Sequence, residues 1–334
     1  MRKPKLSIII AVWNGESYIK RLCASLDQVC NNPFFEIVLI DDGSTDRTPA
    51  YLLELKEQSS NVKILRIDNC GQGKARNLGF KLSVGEYVYF ADADDTLSSN
   101  FSKTIREHLE KYNDDVFIFG FKKVLDSQHR ENIGIFPFPF LESKSIPPQE
   151  LKTLYHLGHS SWNKIFKRSL LEESKLNFLE GQIYEDMAVV PCWVSLATTI
   201  RTSPLVIYEY TVRSGSSINT TADRSKDAIV ALRHIISNCK TPHLSASSIA
   251  REVYFYLLPK EAEIATKSGN FRRYFNIQSN YKRVIRQEIG WSFIFSCKQR
   301  KLSEWLYVIT AQYGPIPLPF VLVFLKRLVN RKKQ

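Results

Sequence analysis

The chain has 334 residues, 46 Lys+Arg against 34 Asp+Glu, and a net charge of +12. That length suits one large domain or two ordinary ones, and 44% hydrophobic with 24% charged residues excludes a disordered or collagen-like chain. Six cysteines (Cys23, Cys30, Cys70, Cys192, Cys239, Cys297) stand far apart with no C-x-x-C pair, so the expectation is reduced thiols in a cytosolic protein, without a zinc site or disulfide framework.

The apolar stretch after the basic opening residues is too short for a signal peptide, and Trp13, Asn14 and Glu16 interrupt it. No run reaches the roughly 18 apolar residues of a membrane span. Strand Leu6–Val12 is followed by a helix over 17–29 and a second strand over 36–40. An acidic turn, Asp41-Asp42-Gly43-Ser44-Thr45-Asp46, leads into a helix over 48–58, then a strand over 62–67 and a helix over 73–82. The strand over 87–90 ends in Ala-Asp-Ala-Asp-Asp; a helix over 101–112 and a strand over 116–121 complete the series. This β-α-β rhythm predicts a parallel sheet covered on both faces, with ligand sites beyond the carboxyl ends of its strands. Residues 127–150, rich in Pro, Phe and Ser without periodicity, read as a loop, and the pattern turns helical after residue 222.

Nearly all the excess charge lies at the end. Residues 251–334 carry 16 basic and 5 acidic side chains, interleaved with aromatics such as Tyr254, Phe255, Trp291, Phe293 and Trp305. Such a region fits adsorption to an anionic membrane surface, and equally a helical subdomain with a solvated basic face. No nucleic-acid-binding motif accompanies it, so nucleic acid is not an expected partner.

Three acidic clusters carry the chemistry. At Asp41-Asp42 a carboxylate is placed to bond a base N–H or a ribose hydroxyl, while Ser44, Asp46 and Thr48 equally suit turn formation and helix capping. At Asp92-Ala93-Asp94-Asp95, alternation sets residues 92 and 94 on one side of an extended segment. Two carboxylates so close repel unless a cation sits between them, so the cluster reads either as a site for a hard divalent ion that also takes phosphate oxygens or as an acidic turn without metal. The third cluster, Glu185-Asp186 after Tyr184, opens an apolar stretch; it either complements a helix dipole or supplies a general base. Gly71-Gln72-Gly73 is not a dinucleotide fingerprint, and Lys74 lacks the Ser/Thr of a P-loop. His156 and His159 have no third metal ligand near them in sequence.

Together these residues resemble family 2 glycosyltransferases of the bacterial cell-surface polysaccharide type. Ser7 to Asn14 with Tyr18 is similar to the family's opening strand, with Ala11 and Trp13 in place of Pro and Tyr. Glu36 to Asp46 matches its second strand and turn, Gly73-Lys-Ala-Arg-Asn-Leu-Gly79 its Ala-Arg-Asn helix start, and Phe90 to Asp95 its Asp-x-Asp strand. Trp162-Asn-Lys-Ile-Phe166, Tyr184-Glu-Asp186 and Tyr208 to Arg213 with Ser216-Ser-Ile218 resemble later motifs.

The resemblance covers about residues 5–220. It implies a GT-A fold, Rossmann-like with a mostly parallel sheet flanked by helices, over 1–222, followed by a basic helical extension over 223–334. It also implies inverting transfer of a hexose or N-acetylhexosamine from a UDP-sugar to an acceptor hydroxyl, aided by Mn²⁺ or Mg²⁺. Asp41 or Asp42 would hold the uracil or ribose with the Ala11-Val12-Trp13 backbone and Glu16. Arg76 would lie near the base or diphosphate, and Asp92, Ala93, Asp94 and Asp95 would form the ribose and metal site.

Asp186, with Glu185 in reserve, would be the base. Trp162, Asn163 and Lys164 would lie on the acceptor side, with Trp162 either stacking a sugar or buried. Arg213 would reach the diphosphate or pair with Glu209. The acceptor would be a saccharide, lipid-linked if the tail holds the enzyme on the inner membrane face. A sugar nucleotidyltransferase is disfavoured by Trp13-Asn-Gly-Glu16, where that class needs a Gly-rich basic loop. A non-catalytic nucleotide-sugar-binding module is the remaining alternative.

Overall fold

The computed structural model describes residues 3–126, 131–136, 144–146, 159–213 and 225–239, together with residues 279, 283 and 287. The sheet grows from β1 (Leu6–Val12), which pairs in parallel with β2 (Phe35–Asp42) and β4 (Tyr87–Asp92); β2 in turn pairs in parallel with β3 (Val62–Ile67). Helices α1 (Ile19–Leu26), α2 (Thr48–Gln58) and α3 (Gln72–Leu82) make the crossovers. Both sheet faces are covered, which is why β1 reads as a continuous apolar run rather than an alternating one. Ile9 and Ala11 enter one core; Leu6, Ile8, Ile10 and Val12 enter the other.

Beyond β4 the sheet is no longer all parallel, and four short strands pair antiparallel with their neighbours. β9 (Lys164–Lys167) lies antiparallel between β4 and β6 (Val116–Leu125), and β10 (Ile200–Val212) then pairs in parallel with β6. A four-residue strand with a lysine at each end carries too little pattern to be read from sequence. Short β5 (Thr96–Leu97) pairs with β10. The loop expected over 127–150 holds two further strands: β7 (Asn132–Phe136) on β6 and β8 (Lys144–Ile146) on β10. They are strands of three and five residues, too short for their pattern to stand out within a Pro- and Phe-rich segment.

Helix α4 (Phe101–Lys111) covers the same face as α1 and α2. On the other face lie α3, α5 (Arg168–Ser174), α6 (Glu185–Leu196) and α7 (Ser225–Asn238). Helix α6 is apolar all round and almost wholly buried, as a helix sandwiched between sheet and α7 must be. Residues 228, 231, 232 and 235 of α7 join that core, so the start of the C-terminal region packs with the sheet domain.

The expectation of six reduced cysteines needs correction: buried Cys192 of α6 and Cys239 after α7 form a disulfide. Forty-seven residues separate them, and spacing alone does not show that α7 returns against α6. Cys23, Cys30 and Cys70 are free thiols. No helix among the described residues is long and apolar enough to cross a membrane. The membrane expectation for 251–334, like His156 and Ser216 to Ile218, lies outside the described residues apart from residues 279, 283 and 287.

Candidate active site

The site forms at the carboxyl ends of β1, β2 and β4. Asp41 and Asp42 end β2, and Gly43 turns the chain there with φ +72°, in the left-handed region that favours glycine. Asp42 accepts the backbone N–H groups of Cys70 (2.8 Å) and Gly71 (2.9 Å), so its carboxylate is spent tying down the turn into α3. Buried Asp41 accepts Ser44 N–H (3.0 Å) through Oδ1, while Oδ2 has no hydrogen-bond partner and lies 3.4 Å from Arg66. Of the two carboxylates, Asp41 therefore retains acceptor capacity.

Ser44 and Thr48 serve the neighbouring loop: Ser44 Oγ accepts Asn14 N–H (3.0 Å) and Thr48 Oγ1 accepts Gly15 N–H (2.7 Å). Asp46 accepts N–H bonds from Glu16 and Thr48, both at 2.9 Å. Laced in this way, the segment from Ala11 to Glu16 leaves Trp13 54% exposed at its tip.

At the end of β4 the chain does not run on extended, as alternation had implied. It turns, with Asp95 N–H bonding the Asp92 carbonyl at 3.3 Å, and the turn gathers the carboxylates of Asp92, Asp94 and Asp95. One oxygen of each lies within 4.8 Å of the others, an all-oxygen donor set that fits a hard divalent cation. The three differ in duty. Asp95 is buried, and its two oxygens accept Tyr208 O–H (2.7 Å) and Thr211 N–H (2.6 Å), anchoring the turn to β10. Burial and the neighbouring Asp94 and Asp92 hold its carboxyl well above the usual range. Asp92 accepts Arg76 (2.5 Å) and Asp94 accepts Arg213 (2.7 Å). Arg213 thus meets Asp94, while Glu209 takes Lys122 (2.7 Å).

Arg76 lies deeper than the resemblance implies. Only 2% exposed, its guanidinium bridges Asp92 to Glu185 (2.6 Å) and sits over the Phe178 ring. It ties α3, β4 and α6 together from beneath the open face. Tyr184 takes a left-handed φ of 71° just before α6, which sets Glu185 and Asp186 in its first turn. Glu185 is committed to Arg76; among the described residues Asp186 accepts only the adjacent Met187 N–H, at 2.7 Å. Burial and then Glu185 raise the Asp186 carboxyl above its ordinary value.

Asn163 and Lys164 are buried. The Lys164 ammonium donates to the Ser160 carbonyl and Asn163 Oδ1, both at 2.8 Å, and burial pushes it down to about 7. Partly buried Trp162 stacks on Tyr208, with ring centres 5.2 Å and planes 12° apart. His159 is a buried histidine that burial holds down to about 4, and it belongs to none of the metal-binding groups among the described residues.

Tyr208 is the site residue that sequence reasoning passed over as part of a motif. Its hydroxyl supports Asp95, accepts Asp92 N–H (3.2 Å), and its ring carries Trp162. No spacing signals it, because the contact needs β10 folded back beside β5.

A sheet in the order 3-2-1-4, with acidic turns at its carboxyl edge, is the Rossmann-like arrangement that GT-A folds contain. The overall structure overlays residues 1–349 of Staphylococcus aureus TarS with UDP-GlcNAc at TM-score 0.58 and 21% identity, covering 92% of this chain and 81% of that one. Residues 7–174 match the model for glycosyl transferase family 2, and the chain belongs to that family. Its relatives include glycosyltransferases GlyG (26% identity, 72% of this chain, 83% of GlyG) and GlyA (26%, 68% of this chain) of Streptococcus pneumoniae serotype 4. The chain spans 33% of GlyA and 53% of Bacillus subtilis EpsH.

Proposed function

We propose that the protein transfers a hexosyl or N-acetylhexosaminyl group from a UDP-sugar to a saccharide hydroxyl, with inversion at the sugar carbon. The observation that carries this reading is the convergence of the Asp92–Asp95 turn and the start of α6 across buried Arg76. TarS, a similar protein, has been seen with UDP-GlcNAc and with UDP, which supports a UDP-sugar donor. Asp41 Oδ2 accepts from the base, with the Ala11–Trp13 backbone beside it.

Asp92 and Asp94 would hold Mn²⁺ or Mg²⁺, with Asp95 fixing their turn. When bound, such an ion offsets the charge that develops on the leaving diphosphate. Asp186 takes the proton of the attacking hydroxyl, a role worth roughly 10²–10⁴-fold. Arg76 keeps Glu185 from that task and holds Asp92 in register. Arg213, on exchanging Asp94 for phosphate oxygens, suits the diphosphate through its planar fork. The basic region over 251–334 would hold the protein on the inner membrane face.

A UDP-sugar panel with Mn²⁺ or EDTA, using wild type, Asp94→Ala and Asp186→Asn, tests the assignment. One donor should be consumed only with metal. Asp94→Ala should lose that consumption, and Asp186→Asn should keep UDP binding while transfer falls at least a hundredfold. Full transfer by Asp186→Asn would overturn the base, and metal-independent turnover would overturn the carboxylate site.

A further inference from the structure

Lys164 is fully buried, and neither the metal site nor the donor contacts above use it. The register shows which way its side chain stands. β9 runs antiparallel to β4, with Phe166 opposite Val88 and Ile165 opposite Tyr89, so Lys164 comes next toward the Asp92 end of β4. Val88 and Phe166 enter the core that holds α6, whereas Tyr89 and Ile165 enter the other. Residues two apart on a strand share a face, which puts Lys164 with Phe166 on the α6 side.

Helix α6 meets the same face. Its Trp193 packs on Phe166 (5.3 Å) and on Phe90 (6.0 Å), and Asp186 comes about two helical turns earlier. Adjacent Glu185 is tied through Arg76 to Asp92, so the first turn of α6 lies at the end of β4 toward which Lys164 extends. The Lys164 ammonium donates to two neutral oxygens, the Ser160 carbonyl and Asn163 Oδ1. Those are its hydrogen bonds among the described residues, and one of its three N–H groups is left over. Asp186 is the carboxylate whose charge acts on it. Around Asp186 itself, Glu185 raises the carboxyl while Arg76 and Lys164 lower it, and the guanidinium of Arg76 is already taken by Asp92 and Glu185.

We propose that Lys164 is a positioning residue for proton removal: its ammonium, beneath the first turn of α6, keeps the Asp186 carboxylate charged and oriented to accept the proton of the attacking hydroxyl. Burying an ammonium among neutral oxygens is costly, and a neutral amide would serve the Ser160 and Asn163 oxygens without that cost. The charge therefore acts on a neighbour rather than on its own turn. Asp186 is the neighbour that needs it, because Glu185 beside it opposes a second negative charge. Lys164 is 0% exposed and touches neither donor nor acceptor, so it works through Asp186. This role rests on the transferase reading above, which makes Asp186 the base.

UDP release from UDP-glucose and UDP-GlcNAc with Mn²⁺, water taking the acceptor's place, tests it on the whole chain. Two variants separate charge from hydrogen bonding: Lys164→Met removes both, and Lys164→Gln keeps N–H donors. Both should lower kcat at least about tenfold, part of the roughly 10²–10⁴-fold that a general base contributes. The donor KM and the affinity for UDP should change less than about twofold. In an Asp186→Asn background Lys164→Gln should cost less than about twofold more, because its target is gone. Lys167→Met, at the other end of β9, should leave kcat unchanged. Lys164→Gln working at the wild-type rate, or losing as much again beside Asp186→Asn, would overturn the role. So would loss of UDP binding in both variants, which would make the lysine a structural element. Wild type that releases no UDP from either donor would instead overturn the transferase reading, and the role with it.

Discussion

Arg76 shows how one buried charge organises a site. Its guanidinium has two carboxylate partners on two different elements, and removing one member of such a network strands the others in a poorly solvated place. Arg76→Ala is expected to lower the unfolding free energy by about 3–5 kcal/mol, read from urea denaturation. UDP affinity should fall as well, because Asp92 loses its anchor. Arg76→Lys should recover part of the stability but not the bridge, since one ammonium cannot fork to both carboxylates. The carboxylates themselves were legible in the sequence: Asp41, Asp92, Asp94 and Asp186 all come to the carboxyl edge of the sheet. Their division of labour was not. Asp42 tying a turn, Asp95 bonded to β10 and Glu185 held by Arg76 all depend on contacts between residues 28 to 116 positions apart.

At the scale of elements, helix α3 meets the segment before α6 so closely that a Cβ on Gly73 would fall on the carbonyl oxygen of Leu179. Gly73→Ala is expected to cost about 1–3 kcal/mol by overpacking and to weaken UDP binding, measured by thermal shift and titration. A neutral result would mean that the segment over 179–184 yields freely. Helix α4 carries a pH-dependent element. His108 stacks on Phe117 at 3.5 Å, and burial, with help from Arg201, pushes it down to about 3. It is therefore neutral at pH 7, and its 3.7 Å approach to Asp114 is not an ion pair; Asp114 takes Arg201 at 2.7 Å instead.

Because the folded value lies below the ordinary one of 6.5, stability from this burial is complete above pH 6.5 and is lost as pH falls toward about 3. His108→Phe keeps the stack and removes the proton uptake. Denaturation midpoints between pH 6.5 and 4 should then fall less steeply than in wild type, by up to about 1.4 kcal/mol per pH unit. The βαβ series over residues 6–121 was readable because β1, β2 and β4 are continuous buried runs separated by helix-length segments. β7, β8 and β9 were not, since short strands are defined by their neighbours' backbone rather than by their own pattern.

At the scale of the whole molecule, the disulfide between Cys192 and Cys239 joins the helix that opens with Glu185 and Asp186 to the helix that begins the C-terminal region. Alkylation without reductant should leave these two cysteines unmodified, while Cys23, Cys30 and Cys70 react once the protein is unfolded. Cys239→Ser is expected to lower stability by about 2–4 kcal/mol, and reductant should bring wild type to the same melting temperature as the variant. Unchanged melting on reduction would show that helix packing alone holds α7 in place.

The same bond makes residues 192–239 a closed covalent ring, and β10, with Tyr208 and Tyr210, lies inside it. A protease that cuts one peptide bond anywhere within that ring opens it without dividing the molecule. The nicked protein should run as one band on a non-reducing gel and as two once reduced. A cut ahead of β10 thus leaves the fragment bearing Tyr208 tethered to the fragment bearing the carboxylates for as long as the sulfurs remain joined.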